Sequence, residues 1–204
     1  MKNEKLELAG TLAMLSCFSE LRTGEYEYDY SSKVVLDVGG FEGESAVYFW
    51  QKGAKKIVIY EPVPEHVEFI KMNVQLNHIQ AEIHKSGVGS KEGTQIINYE
   101  RTDPGFGILN AGPKQLEVQI SQISEVIDKS NADLAKFDCE GSEQCLVDVS
   151  TKTLRKIPYY IIEVHSQQIR SDILKRFKDA RFALEKDLAK PPTQFSVLAF
   201  KRID

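Results

Sequence analysis

Lys33-Val34-Val35-Leu36-Asp37-Val38-Gly39-Gly40-Phe41-Glu42-Gly43 decides the fold. Val34, Val35 and Leu36 make a short apolar, β-branched run bounded by polar residues, the pattern of a strand inside a parallel sheet. An acid ends the strand and three glycines follow. Beyond them, Glu44 to Lys52 carries helical spacing through Val47 and Trp50, with Gly53 placed to close the helix. A strand, a glycine turn and a helix N-terminus bring unpaired backbone N–H groups close to a ligand.

The glycines refine that reading. Gly39, Gly40 and Gly43 do not meet the dinucleotide pattern G-x-G-x-x-G. Asp37 stands before them, and a carboxylate facing the ligand there disfavours a pyrophosphate and suits a cation. The next strand, Lys56 to Tyr60, runs into Glu61-Pro62, and Glu61 lies 18 residues past Gly43 (43 to 61). An acid at about that distance accepts hydrogen bonds from ribose hydroxyls. The two acids favour S-adenosylmethionine, which carries an ammonium and a sulfonium and no phosphate, over a nicotinamide dinucleotide.

A chain of 204 residues with 42% hydrophobic content is enough for one sizeable core. No stretch approaches the 18 apolar residues of a membrane helix, and the N-terminus lacks an apolar segment flanked by positive charge. Cys17, Cys139 and Cys145 form no C-x-x-C pair and read as buried, reduced thiols. Together these features place the protein in the cytoplasm, away from membranes. A net charge of −4 argues against a nucleic-acid partner.

Working outward, residues 1–30 read as an N-terminal helical extension and residues 31–204 as the main domain. Leu8, Leu12, Leu15 and Phe18 recur at helical spacing and predict one packed face. Glu25 to Tyr30 alternates acid and aromatic. The favoured reading is a connector with its tyrosines folded onto the domain; the other is a wall of the substrate site. Pro64 to Asn77 reads as a helix, and Ala81 to His84 as a third strand entering Ser86, Gly87 and Val88. Thr94–Tyr99 and Leu116–Ile120 read as further strands. Between them the glycine-rich run from Arg101 to Ile108 is a candidate substrate loop. Leu134–Phe137 and Tyr159–Val164 are the fourth and fifth core strands, and Gln167 to Lys178 is a helix behind an N-cap at Ser166. Phe182–Leu188 and Phe195–Lys201, joined through Lys190-Pro191-Pro192, leave no room for a helix and must pair antiparallel. The expectation is an α/β fold: a doubly wound, mostly parallel, seven-stranded sheet ending in an antiparallel hairpin, Rossmann-like and of the class I methyltransferase kind.

The motifs resemble those of the FkbM family of S-adenosylmethionine-dependent methyltransferases, over roughly residues 33–165. Asp37-Val38-Gly39-Gly40-Phe41-Glu42-Gly43 is similar to the family's D-x-G-A-N-x-G, with Gly40 and Phe41 in place of Ala-Asn. Glu61-Pro62 looks like its E-P, and Lys136-Phe137-Asp138-Cys139-Glu140-Gly141-Ser142-Glu143 matches K-x-D-x-E-G-x-E at every fixed position. Ile162-Glu163-Val164-His165 looks like its I-E-x-H. The resemblance implies a cofactor set of Asp37, Gly39, Gly40, Gly43, Glu61 and Pro62. Ser86, Gly87, Val88 and Asp138 complete it. The acceptor it implies is a hydroxyl on a sugar or other small molecule. RNA methylation is the alternative, and a third reading is a protein that binds the cofactor without turnover.

Asp138 and Glu163 end neighbouring strands, which lie roughly 4.8 Å apart, so both should line one crevice with His165 two residues on. Asp138 is placed to receive the cofactor's amino group, and Glu163 or His165 to take a proton from a hydroxyl. Asp138, Glu140, Glu163 and His165 equally make a ligand set for a hard divalent cation. Glu143 is read as capping the helix that follows. His66, His78 and His84 are read as surface residues.

Overall fold

The computed structural model describes residues 7–99, 114–189 and 196–204. The chain begins with helix α1 (Leu12–Leu21) and then alternates β1 (Val34–Val38), α2 (Glu44–Gln51), β2 (Lys56–Tyr60), α3 (Pro64–Leu76) and β3 (Ala81–His84). Three strands follow, β4 (Gly87–Gly89), β5 (Gly93–Tyr99) and β6 (Lys114–Gln122), then α4 (Ile123–Ser130). The second half runs β7 (Leu134–Phe137), a 3-10 helix (Ser142–Asp148), α5 (Thr151–Leu154), β8 (Tyr159–Val164), α6 (Gln167–Asp179), β9 (Phe182–Ala189) and β10 (Ser196–Arg202).

Seven strands form one sheet in the order β3-β2-β1-β7-β8-β10-β9. Pairing is parallel from β3 to β8, and β10 runs antiparallel to both β8 and β9. The expected topology is present, reversed hairpin included. The link at Lys190-Pro191-Pro192 lies outside the described residues, as does the loop from Arg101 to Ile108.

Both faces of the sheet are covered, as the alternation of its buried residues requires. Val35, Ile57, Ile59 and Leu134 point to the side of α1, α2 and α3, where Phe18, Phe49 and Ile70 pack. Leu36, Val58, Phe137 and Ile162 point to the other side, against Val126, Leu154, Ile173 and Phe177. The direction of winding changes between β1 and β7, and in open α/β sheets ligands bind beyond the strand ends at such a switch point.

The further strands at 94–99 and 116–120 belong to a separate three-stranded sheet, β4-β6-β5, whose Ile97 and Val118 pack on Val63 at the start of α3. One expectation, the buried face of α1, is corrected. Leu12 and Leu15 are exposed, while Met14, Phe18 and Leu21 are buried. Spacings of four and three satisfy helical geometry from either starting leucine, so periodicity alone did not choose the face. Among the described residues, no helix is long and apolar enough to cross a membrane.

Candidate functional site

The glycine loop after β1 is built by contact with its neighbours. Gly39 has φ +83, and a Cβ there would lie 1.8 Å from the Asp138 carbonyl oxygen. Only glycine lets the loops after β1 and β7 meet this closely. A Cβ on Gly40 would lie 2.4 Å from Ile59 Cγ2.

Asp37 is not exposed at the crevice. It is fully buried, accepts from Ser45 Oγ at 2.6 Å, and stands 3.2 Å from Lys136 Nζ. Lys136 also donates to the Gly39 carbonyl at 2.6 Å and lies 3.7 Å from Asp138 Oδ2. Burial works against the lysine's charge, but Asp37, Asp138 and Glu44 outweigh it and hold its pKa above the usual range. Lys136 is therefore an internal strut joining the two loops. Asp37 reads as an exposed acid in sequence because its partner comes from β7, almost a hundred residues away.

Glu61 is also covered. One oxygen accepts from Phe41 N–H at 3.1 Å, and the other accepts from Val63 N–H at 3.0 Å and lies 3.2 Å from His66 Nδ1. Phe41 packs edge-on against the His66 ring, centroids 4.6 Å apart. His66 is thus a buried member of the site, contrary to the surface reading; its place in the first turn of α3, just after Glu61-Pro62, was the available signal. Pro62 packs toward Gly87, and Ser86 Oγ pairs with Ser121 Oγ at 2.9 Å. Val88 is buried in the core of the far face.

Glu42 and Glu44 flank Gly43. Glu42 accepts from Thr11 N–H and Oγ1, and Asn73 Nδ2 donates to the carbonyls of both Ala9 and Glu42, so residues 9–11 are strapped onto the glycine loop. Burial pushes the Glu44 carboxyl up to about 8 against the opposing pull of Lys136.

The loops after β7 and β8 bring the remaining acids together. Phe137 pairs with Ile162, so Asp138 and Glu163 follow side by side, as the sequence predicted. Tyr26 hydroxyl donates to Glu163 Oε2 at 2.9 Å. Burial, then the fields of Asp138 and Glu163, push the Tyr26 pKa well up, so it stays a donor. The tyrosine segment both folds onto the domain and reaches the site: Tyr30 is buried with its hydroxyl on the Tyr26 carbonyl, and Tyr28 stacks on Tyr159 at 4.1 Å.

Glu143 does more than cap. It is fully buried, and one oxygen accepts from His165 N–H and faces His165 Nδ1, both at 3.0 Å, while the other accepts from Gly141 N–H at 2.8 Å. His165 Nε2 then looks toward Glu140 Oε1 at 3.6 Å and Asp138 Oδ1 at 3.7 Å. Burial lowers the His165 pKa, but hydrogen bonding to Glu140 and Glu143 and the field of Asp138 prevail and push it to about 11. The surrounding carboxylates thus favour the protonated ring. Cys139 and Cys145 hold their protons, their pKa values raised first by burial and next by Glu143. Cys145 is buried as expected; Cys17 and Cys139 are only partly so.

No protein-family model matches the chain, and no curated protein matches it. Solved structures do. A candidate RNA methyltransferase from Pyrococcus horikoshii superposes with TM-score 0.60 at 15% identity, covering 100% of this chain and 91% of its own. The fold is that of the class I methyltransferases. The ribosomal protein L11 methylase of Lactobacillus delbrueckii subsp. bulgaricus gives TM-score 0.55 at 16% identity, covering 97% and 82%. A candidate tRNA (m1A22) methyltransferase of Streptococcus pneumoniae, solved with S-adenosyl-L-methionine, gives 0.58 at 10%, covering 91% and 74%.

Proposed function

We propose that the chain is an S-adenosylmethionine-dependent methyltransferase. The observation that carries this reading is the charge of the crevice at the β1/β7 switch point. Asp138 and Glu140 keep side-chain exposures of 33% and 21%, while the cations beside them, Lys136 and His165, already face carboxylates. A pyrophosphate would meet repulsion there, and a sulfonium would meet attraction. The fold supports the same cofactor, since a similar structure holds it.

The donor supplies a methyl group already activated for displacement; the protein's share is alignment. Asp138 would accept from the amino group, with the backbone of Gly39 and Gly40 alongside. Glu61 has acceptor capacity left for a ribose hydroxyl, because a carboxylate offers about four lone-pair positions. Glu163 is the group to take a proton from an acceptor hydroxyl, and Tyr26 orients it.

Two acceptor classes follow from different grounds. The FkbM-like motifs favour a hydroxyl on a sugar or small molecule. The similar structures are named for RNA, ribosomal-protein and precorrin methylation; those named for RNA favour that acceptor, against the acidic net charge of −4. Thermal shift tests the cofactor: S-adenosylmethionine should raise the Tm and NAD should not. Stabilisation by NAD alone would overturn the reading. Transfer of labelled methyl to total RNA, protein or a sugar panel then separates the acceptors.

A further inference from the structure

Asp138, Glu140 and His165 each present one ligand atom, and the three atoms lie within 4.8 Å of one another. The spacing from His165 Nε2 to the two carboxylates, 3.6 and 3.7 Å, is close to what a metal needs. Ligands ~2.1 Å from a tetrahedral ion sit ~3.4 Å apart, so the two imidazole–carboxylate spacings need shifts of only a few tenths of an ångström.

A second observation concerns the ring. Glu143, fully buried and not a member of the triad, holds Nδ1 at 3.0 Å and so aims Nε2 at the carboxylates. Metal-bound histidines are held in this way, the second nitrogen fixed by a carboxylate. Glu143 also binds the His165 backbone N–H, so ring and chain are positioned by one group.

A third is charge. Among the described residues, Asp37, Asp138, Glu140, Glu143 and Glu163 outnumber the cations beside them, Lys136 and His165. The imidazole side is closed, with the His165 side chain 5% exposed, whereas the carboxylate side is open to water or substrate. Glu163, expected as a fourth ligand, stands outside the triad and takes Tyr26 instead.

We infer that Asp138, Glu140 and His165 form a divalent-cation site at the ends of β7 and β8, with Glu143 as its positioning residue. Two carboxylate oxygens and one imidazole nitrogen with open positions suit Mn²⁺, Fe²⁺ or Zn²⁺. A cation there would bind an acceptor's oxygen beside Glu163 and make its proton easier to remove. The site does not depend on methyl transfer being the reaction.

The test is binding of Mn²⁺ to the metal-stripped full chain, followed through the paramagnetic resonance signal of the free ion. One equivalent should bind. Glu140→Gln should weaken binding tenfold or more, and Glu163→Gln should change it less than about threefold, since Glu163 stands outside the triad and takes the Tyr26 hydroxyl. No bound ion at millimolar Mn²⁺, or equal loss in the two variants, would overturn the site in favour of diffuse attraction. In the unmodified chain, sub-stoichiometric Mn²⁺ should broaden the His165 ring resonances before those of His66, His78 and His84. Broadening of another histidine first would also overturn it. Calorimetry with S-adenosylmethionine in chelator tests the cofactor separately, so either can fail alone.

Discussion

The two acidic loops at the carboxyl ends of the strands use similar residues in opposite ways. After β1 and β2, Asp37, Glu42 and Glu61 find partners inside the protein. Asp37 holds Ser45 and Lys136, Glu42 holds Thr11, and Glu61 holds Phe41 and Val63. After β7, Asp138 and Glu140 remain part-exposed over a crevice with negative charge in excess. An acid at a strand end is thus tied into the fold where a facing loop supplies N–H donors or a lysine. It is free for a ligand where the facing loops supply more acid.

Removing the strut should break this division most severely. Lys136→Met leaves Asp37 buried without its cation and should cost roughly 3–5 kcal/mol in urea unfolding, the range for a broken buried ion pair. A loss below about 1 kcal/mol would mean that Lys136 is not what joins the loops.

Glu44 sharpens the comparison through pH. Its carboxyl stands at about 8 folded against an ordinary 4.5, so its proton-linked stability is complete below about pH 4.5 and is lost as pH rises through about 8. Glu44→Gln abolishes that loss. The variant's stability advantage over the parent should grow from pH 5 to pH 8.5 by on the order of a few kcal/mol, read by urea unfolding. A pH-independent difference would place the carboxyl in water.

Much of this was readable in the residues. The strand order followed from alternating strands and helices, and the hairpin from the absence of a helix between 188 and 195. The pairing of Asp138 with Glu163 followed from adjacent strand ends. The roles of individual acids were not, because each depends on a partner distant in sequence: Lys136 for Asp37, Thr11 for Glu42, Tyr26 for Glu163. Glu143 and His165 stood in the quoted motifs, yet their 3.0 Å contact, which orients the ring, needed the fold.

A smaller effect is expected on the open side. Tyr26→Phe removes one hydrogen bond to Glu163 and should cost about 1–2 kcal/mol, read by thermal unfolding. No change at all would mean that the hydroxyl bonds to water as well as to Glu163.

The central claim is that the part-exposed acid after β7, and not the buried acid after β1, meets a cationic cofactor. Calorimetric titration with S-adenosylmethionine in chelator-treated buffer tests it directly. One equivalent should bind to the parent chain, Asp138→Asn should weaken it by about tenfold or more, and NAD should give no heat. Binding of NAD, or S-adenosylmethionine affinity unchanged by Asp138→Asn, would contradict it.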